Sequence, residues 1–397
     1  MKQYIVANPP CGIYKGDLPL GYAYYQTLLD IHSRFLRESK GLEVLCPKYS
    51  LNALGKRAED LGLDGTLENL DEYVQSFIES GRLRDRMNFS FSGNILDTSE
   101  ESIEQTTETF RRLYEKGYVL KKGSTFYLDT KKIGEDFDLE GISQDINFFS
   151  DRIRGEFTRL IQDSSNPIRI TKERVYSVPN PFGDEGIAPI FGVSNLWEGY
   201  FDKEIDFMAA SEKELTRYLM LRFLSQVPIS QNLPMKNILV YNYIEPEGGF
   251  DIWEMEGLTE TKADSDALRY SFARSFSSSK QKTKLQRDFL NRGRKLVHLT
   301  ENLQRVFSNE GLRFSGFSNI DDAHYIEEMN NFRYSQILEE LERKLRDVSN
   351  GVSVSRSEGD FDSEKEKLFG TYLTLVKGLT PFCPFTSEKV ISDLSNK

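Results

Sequence analysis

Cysteine and histidine are both scarce in this chain, with three of each among 397 residues. Cys11, Cys46 and Cys383 lie far apart and form no CxxC pair, which removes a disulfide framework and a zinc knuckle. The expectation is therefore no structural zinc, no other metal, and a cytoplasmic, reducing compartment. His32, His298 and His324 leave little room for histidine-based metal sites or acid–base chemistry. No run of about 18 apolar residues is present, so no membrane partner is expected. The first residues carry no basic segment followed by an apolar core, and no secretory leader is expected either. Positive charge is in deficit, 51 Lys and Arg against 62 Asp and Glu, for a net charge of −11. That balance disfavours nonspecific binding to nucleic acid, leaving a local basic stripe as the route around it.

Apolar residues, by contrast, are plentiful enough at 38% to bury at least one large core. "QYIVA" (3–7) reads as a short buried strand ended by Asn8-Pro9-Pro10. The spacing of Tyr25, Leu28, Leu29, His32, Phe35 and Leu36 predicts a helix over 22–38, with His32 on its core face. "LEVLCP" after Gly41 reads as a second strand, and helical patterns follow at 51–61 and 69–82. Strand, glycine-rich turn, helix, strand is the opening of a right-handed parallel α/β unit. A further helix is expected over 99–121, with Thr98 as N-cap, Glu101 as its capping-box partner and Gly117 near its end. From 122 to 192, short strand-like runs alternate with turn clusters, the pattern of an insertion. A helix is expected at 211–225 and a buried parallel strand in "MKNILVYNYI" (235–244). After Ala263 the chain reads as nearly all helix, including one long segment over 280–308. Residues 349–364, "SNGVSVSRSEGDFDSE", read as a polar loop between two helices.

The stretch "NPPCGIYKGDLPLGYAY" (8–24) raises the functional question. It joins a strand to a helix through prolines and glycines, a shape that lets backbone approach a ligand closely and places phosphate at a helix N-terminus. It resembles the first nucleotide-binding turn of the class I aminoacyl-tRNA synthetases that handle Met, Leu, Ile and Val. That family reads Pro-x-x-x-Gly and then His-x-Gly-His; here Pro9 and Gly21 are kept, while the two histidine positions are Pro19 and Tyr22. Five further segments resemble the family in its order: "FRRLYEKGYVL" (110–120), "NLPMKNILVYNYI" (232–244), "DSDALRYSFARSF" (264–276), "RDFLNRGRKLVHL" (287–299) and "LTPFCPFTSEKVISDL" (379–394). Where the family carries Lys-Met-Ser-Lys-Ser, this chain reads "WEMEG", so Glu254, Met255 and Glu256 offer carboxylates in place of phosphate-clamping lysines.

The resemblance implies an α/β fold: a Rossmann-type parallel sheet of the HUP-like nucleotide-binding kind, an inserted connective segment, and an all-α helical bundle at the C-terminal end. The expected division is 1–97 and 193–262 for the two halves of the core, 98–192 for the insertion, and 263–397 for a bundle resembling an anticodon-binding domain. The short insertion places the chain nearer the methionine type than the leucine type. The resemblance also implies site residues. Pro9, Gly21, Tyr22, Trp197 and Tyr200 fall where the family binds nucleotide and amino acid, Tyr22 being the candidate for the lost histidine's role. Lys262, Lys280, Lys284 and Arg287 are the implied phosphate contacts; as single residues, lysines on a helix or loop are more commonly a solvated face, and a tyrosine at a helix start more commonly packs over the core.

Both phosphate-handling motifs are therefore altered, and ordinary tRNA charging is the least favoured expectation. The favoured one is a repurposed enzyme that binds an amino acid or aminoacyl substrate, with ATP or an aminoacyl adenylate as the implied cosubstrate, and performs a ligation or transfer. The alternative is a noncatalytic scaffold for a protein partner or tRNA, the latter disfavoured by the acidic charge.

Overall fold

The computed structural model describes residues 3–7, 11–12, 20–46, 49–52, 62, 67–79, 86–91, 93–163, 166–174, 177–195, 205–210, 218–230, 235–241, 243–246, 259–277, 282–314, 316 and 322–395. The chain forms two compact units. The first comprises Met1–Leu18, Glu43–Gly81 and Phe91–Asn242; the second comprises Pro19–Leu42, Arg82–Ser90 and Tyr243–Lys397.

A five-stranded parallel sheet is the centre of the first unit, in the order Glu43–Leu45, Gln3–Ala7, Ile205–Ala210, Met235–Val240, Asn147–Phe148. All six residues of "IDFMAA" (205–210) are buried, as a strand covered on both faces requires. Its one acid, Asp206, is satisfied by the Ile5 amide at 3.0 Å and by Lys236 at 3.7 Å. The edge strand Asn147–Phe148 comes from the segment that reads as an insertion, and Asn147 donates to the Asn237 side chain at 3.1 Å. The rest of that segment builds its own antiparallel sheet from Val119–Lys122, Thr125–Leu128 and Ile168–Arg169. Glu185 fastens it, accepting from Ser124, Thr125, Thr171 and Arg169 at 2.9–3.1 Å.

Four local expectations are corrected in detail. The helix expected over 99–121 is Glu100–Glu115, capped by Ser99, whose hydroxyl accepts the Ser102 amide at 3.2 Å. Thr98 turns its hydroxyl to Asp71 instead, at 3.2 Å. Gly117, at φ 75°, ends the helix, with the Tyr118 amide returning to the Leu113 carbonyl. Leu51 and Asn52, expected to open a helix, close the strand Tyr49–Asn52, which pairs with Asn94–Leu96; residues 53–61 lie outside the described residues. In the second unit, Lys282–Leu285 is a strand parallel to Tyr243–Pro246, so the long helix begins only at Arg287. Alternating Lys and Thr suit an extended strand there better than a helix.

The fourth correction is the largest. Tyr334–Glu358 is one continuous helix through the serine-rich stretch expected as a loop. Ser353, Ser355 and Ser357 fold their hydroxyls onto carbonyls four residues back, and Val352 and Ser355 are buried. The turn shrinks to Gly359, left-handed at φ 82°, before Phe361–Leu379 begins. With Leu20–Lys40, Lys262–Ser275, Arg287–Asn309, Ala323–Asn330 and Pro384–Ser395, these helices make the second unit almost wholly α. No helix among the described residues is long and apolar enough to cross a membrane.

Candidate functional site

In an open parallel sheet, ligands bind beyond the carboxyl ends of the strands where the strand order reverses. In the first unit that point is set by Gln3–Ala7, which is flanked by Glu43–Leu45 on one side and by Ile205–Ala210 on the other. Its register is fixed by Val6 opposite Phe207 and Ala7 opposite Met208. The carboxyl ends at Ala7 and Ala210 therefore mark the switch point. Pro9, Trp197, Tyr200, Lys280 and the Glu254-Met255-Glu256 loop lie outside the described residues.

Gly21 and Tyr22 belong to the second unit, in the first turn of Leu20–Lys40. Among the described residues, a methyl group built on Gly21 meets nothing within 4 Å. Tyr22 has a different character. It is 5% exposed, stacks edge-on against Tyr25, and its phenol oxygen accepts from Gln26 at 2.9 Å. The residue nominated for the histidine's role is built into the helical core.

The remaining cations are spread out. Lys262 opens Lys262–Ser275 and holds its ammonium 5.4 Å from the centre of the Phe385 ring. Lys284 lies on the strand opposite Glu245, and Arg287 starts the following helix; both are exposed. Two neighbours in the same basic run are neutralised by acids, Arg292 by Asp288 at 3.1 Å and Arg294 by Asp264 at 3.0 Å. The described cations of that run lie on the strand Lys282–Leu285 and on the outer face of the helix Arg287–Asn309, and no cluster of three or more metal-ligating residues occurs among the described residues.

What sequence reading missed is the buried charge that locks the helix carrying Gly21. Asp30 and Arg269 are fully buried and 2.7 Å apart. Arg269 also donates to the carbonyls of Met87, Pro381 and Phe382, and Asp30 accepts from Arg34 and from the amide and hydroxyl of Ser90. Burial raises the Asp30 carboxyl, but Arg269 and Arg34 outweigh it and hold it below the usual range. One helical turn before Arg269, Asp266 accepts the Phe385 and Thr386 amides and the Thr386 hydroxyl, satisfying the start of the last helix. Burial still pushes its carboxyl up to about 6. His32 is buried against Phe332 and pushed down to about 3 by burial and by Lys40.

No family profile and no curated protein sequence matches the chain. Among solved structures it is similar to methionyl-tRNA synthetase of Mycobacterium tuberculosis. In the complex with methionyl-adenylate, the match has a TM-score of 0.76 at 14% identity, covering 99% of this chain and 94% of the other. A second structure bound by methionyl-adenylate gives 0.74 at 14% identity, over 98% and 94%. The apo form gives 0.69 at 15% identity, over 99% and 92%. The likeness is one of fold: a Rossmann-like α/β core followed by many helices, as in a class I synthetase.

Proposed function

We propose that this chain is a class I synthetase-like enzyme repurposed for chemistry outside translation. It binds an amino acid as its adenylate or another aminoacyl ester and passes the acyl group to an acceptor other than tRNA. In the transfer, an acceptor amine nitrogen bonds to the acyl carbon, the bond from that carbon to the ester oxygen breaks, AMP or the corresponding alcohol leaves, and the amine proton goes to solvent. The observation that carries this reading is a synthetase fold spanning nearly the whole chain alongside replacement of the residues that handle triphosphate. Glu254 and Glu256 would repel a triphosphate by roughly several kcal/mol at low effective dielectric. An adenylate ester carries far less charge, and the open space at Gly21 suits its purine.

A noncatalytic scaffold is the second reading, and the packed, hydrogen-bonded Tyr22 favours it. Calorimetry with a panel of aminoacyl sulfamoyl adenylates separates the two. The enzyme reading expects one-to-one binding of at least one analogue and no amino-acid-dependent pyrophosphate exchange. Absence of heat with every analogue would leave only the scaffold, and measurable exchange would mean ordinary amino-acid activation.

A further inference from the structure

A groove of about 590 Å³ on the second unit is lined by Lys262, Phe385, Glu388, Asp393 and the Glu301–Lys389 pair, of which only Lys262 figured among the implied phosphate contacts. Its volume lies within the range of small-ligand sites. Most of its polar groups are already matched: Lys389 with Glu301 at 2.7 Å, Glu388 with the Asn88 amide at 3.2 Å, and Thr386 with Asp266 beneath the floor. Two charges remain. The Lys262 ammonium has the Phe385 ring as its neighbour and, among the described residues, no acid paired with it. The half-buried Asp393 carboxylate has no basic partner among the described residues.

The spacing of these two charges selects the ligand. Lys262 marks the Phe385 end of the groove, and Phe385 and Asp393 are eight residues apart on the helix Pro384–Ser395, which places their backbones about 12 Å apart at the helical rise. A single zwitterionic amino acid is too short to meet both charges. An extended chain of three residues spans about 10 Å and brings a terminal carboxylate to one end and a terminal ammonium to the other. Glu301, Glu388 and Asp393 make a wholly anionic ligand such as a nucleotide a poor match for the same walls. We propose that this groove binds a short zwitterionic peptide of about three residues, its carboxylate at Lys262 and its amino end at Asp393.

Titration calorimetry of the full chain with triglycine tests the assignment without any nucleotide present, so the result is independent of the adenylate reading. Triglycine is expected to bind at one site, and N-acetyl-triglycinamide, which lacks both end charges, at least about tenfold more weakly. Lys262→Met and Asp393→Asn should each weaken triglycine about tenfold. The double exchange Lys262→Asp with Asp393→Lys should recover part of the affinity, an outcome that general misfolding does not give. No binding of triglycine, equal binding of the blocked peptide, or affinity untouched by both single substitutions would overturn the proposal.

Discussion

Two buried titratable side chains of the second unit respond to acid in opposite directions. The His32 ring, pushed down to about 3 from its ordinary 6.5, stays neutral in the folded chain while the unfolded chain takes up a proton. Stability from this group therefore falls as pH drops from 6.5 towards 3. Asp266 is raised from 3.8 to about 6, so between those values the folded chain holds the extra proton and stability rises as pH falls. The two slopes oppose each other down to about pH 4. Asp266→Asn removes one of them, and the variant should lose stability relative to the parent as pH falls from about 6 to about 4, on the order of 1 kcal/mol per pH unit. Urea unfolding across that range measures it, and parallel pH profiles for the two proteins would refute it. The core position of His32 was legible from helical spacing alone. The Asp30–Arg269 pair was not, because its partners are 239 residues apart and local pattern carries no record of which buried charge meets which.

Close approach of elements is decided by small residues, and two glycines make opposite cases. On Arg287–Asn309, a methyl group at Gly293 would sit 2.8 Å from the Ala267 carbonyl oxygen and 2.9 Å from its Cα. Both atoms are backbone of Lys262–Ser275, so the helices would have to move apart. Gly293→Ala should cost about 1–3 kcal/mol, whereas Gly21→Ala, meeting nothing within 4 Å, should be neutral or stabilise by up to about 1 kcal/mol through helix propensity. Thermal and urea denaturation of the two variants tests the contrast, and equal losses would contradict it. Periodicity made the parallel strands Gln3–Ala7, Glu43–Leu45 and Met235–Val240 and most helices readable, whereas the central strand Ile205–Ala210 went unread. The exceptions have physical causes. The serine-rich 349–358 stretch satisfies its own hydroxyls inside a helix, and Lys282–Leu285 takes its strand form from a partner almost forty residues earlier in the chain.

For the molecule as a whole, the fold is similar to that of a methionyl-tRNA synthetase across 98–99% of the chain at only 14–15% identity. Such divergence is tolerable because buried patterns define a fold, whereas a few charged side chains define its chemistry. That is why the α/β core and the C-terminal helices could be read from sequence, while Pro9, Trp197, Tyr200 and Glu254–Glu256, which lie outside the described residues, could be named only through the resemblance. Binding to the folded state raises its melting temperature by mass action, about 2.7 kcal/mol at a hundredfold excess over Kd, which is several degrees for a chain of this size. The proposed function sets an order among ligands: a matching sulfamoyl adenylate should raise Tm by several degrees, and ATP with magnesium should leave it unchanged, since that proposal puts Glu254 and Glu256 where lysines would hold a triphosphate. Gly21→Ala should abolish the adenylate shift while keeping the unliganded Tm at or above that of the parent, because the added methyl meets nothing within 4 Å among the described residues and would stand where the proposed purine lies. A shift with ATP equal to that with the adenylate would place triphosphate back in the site and count against the replacement of its chemistry.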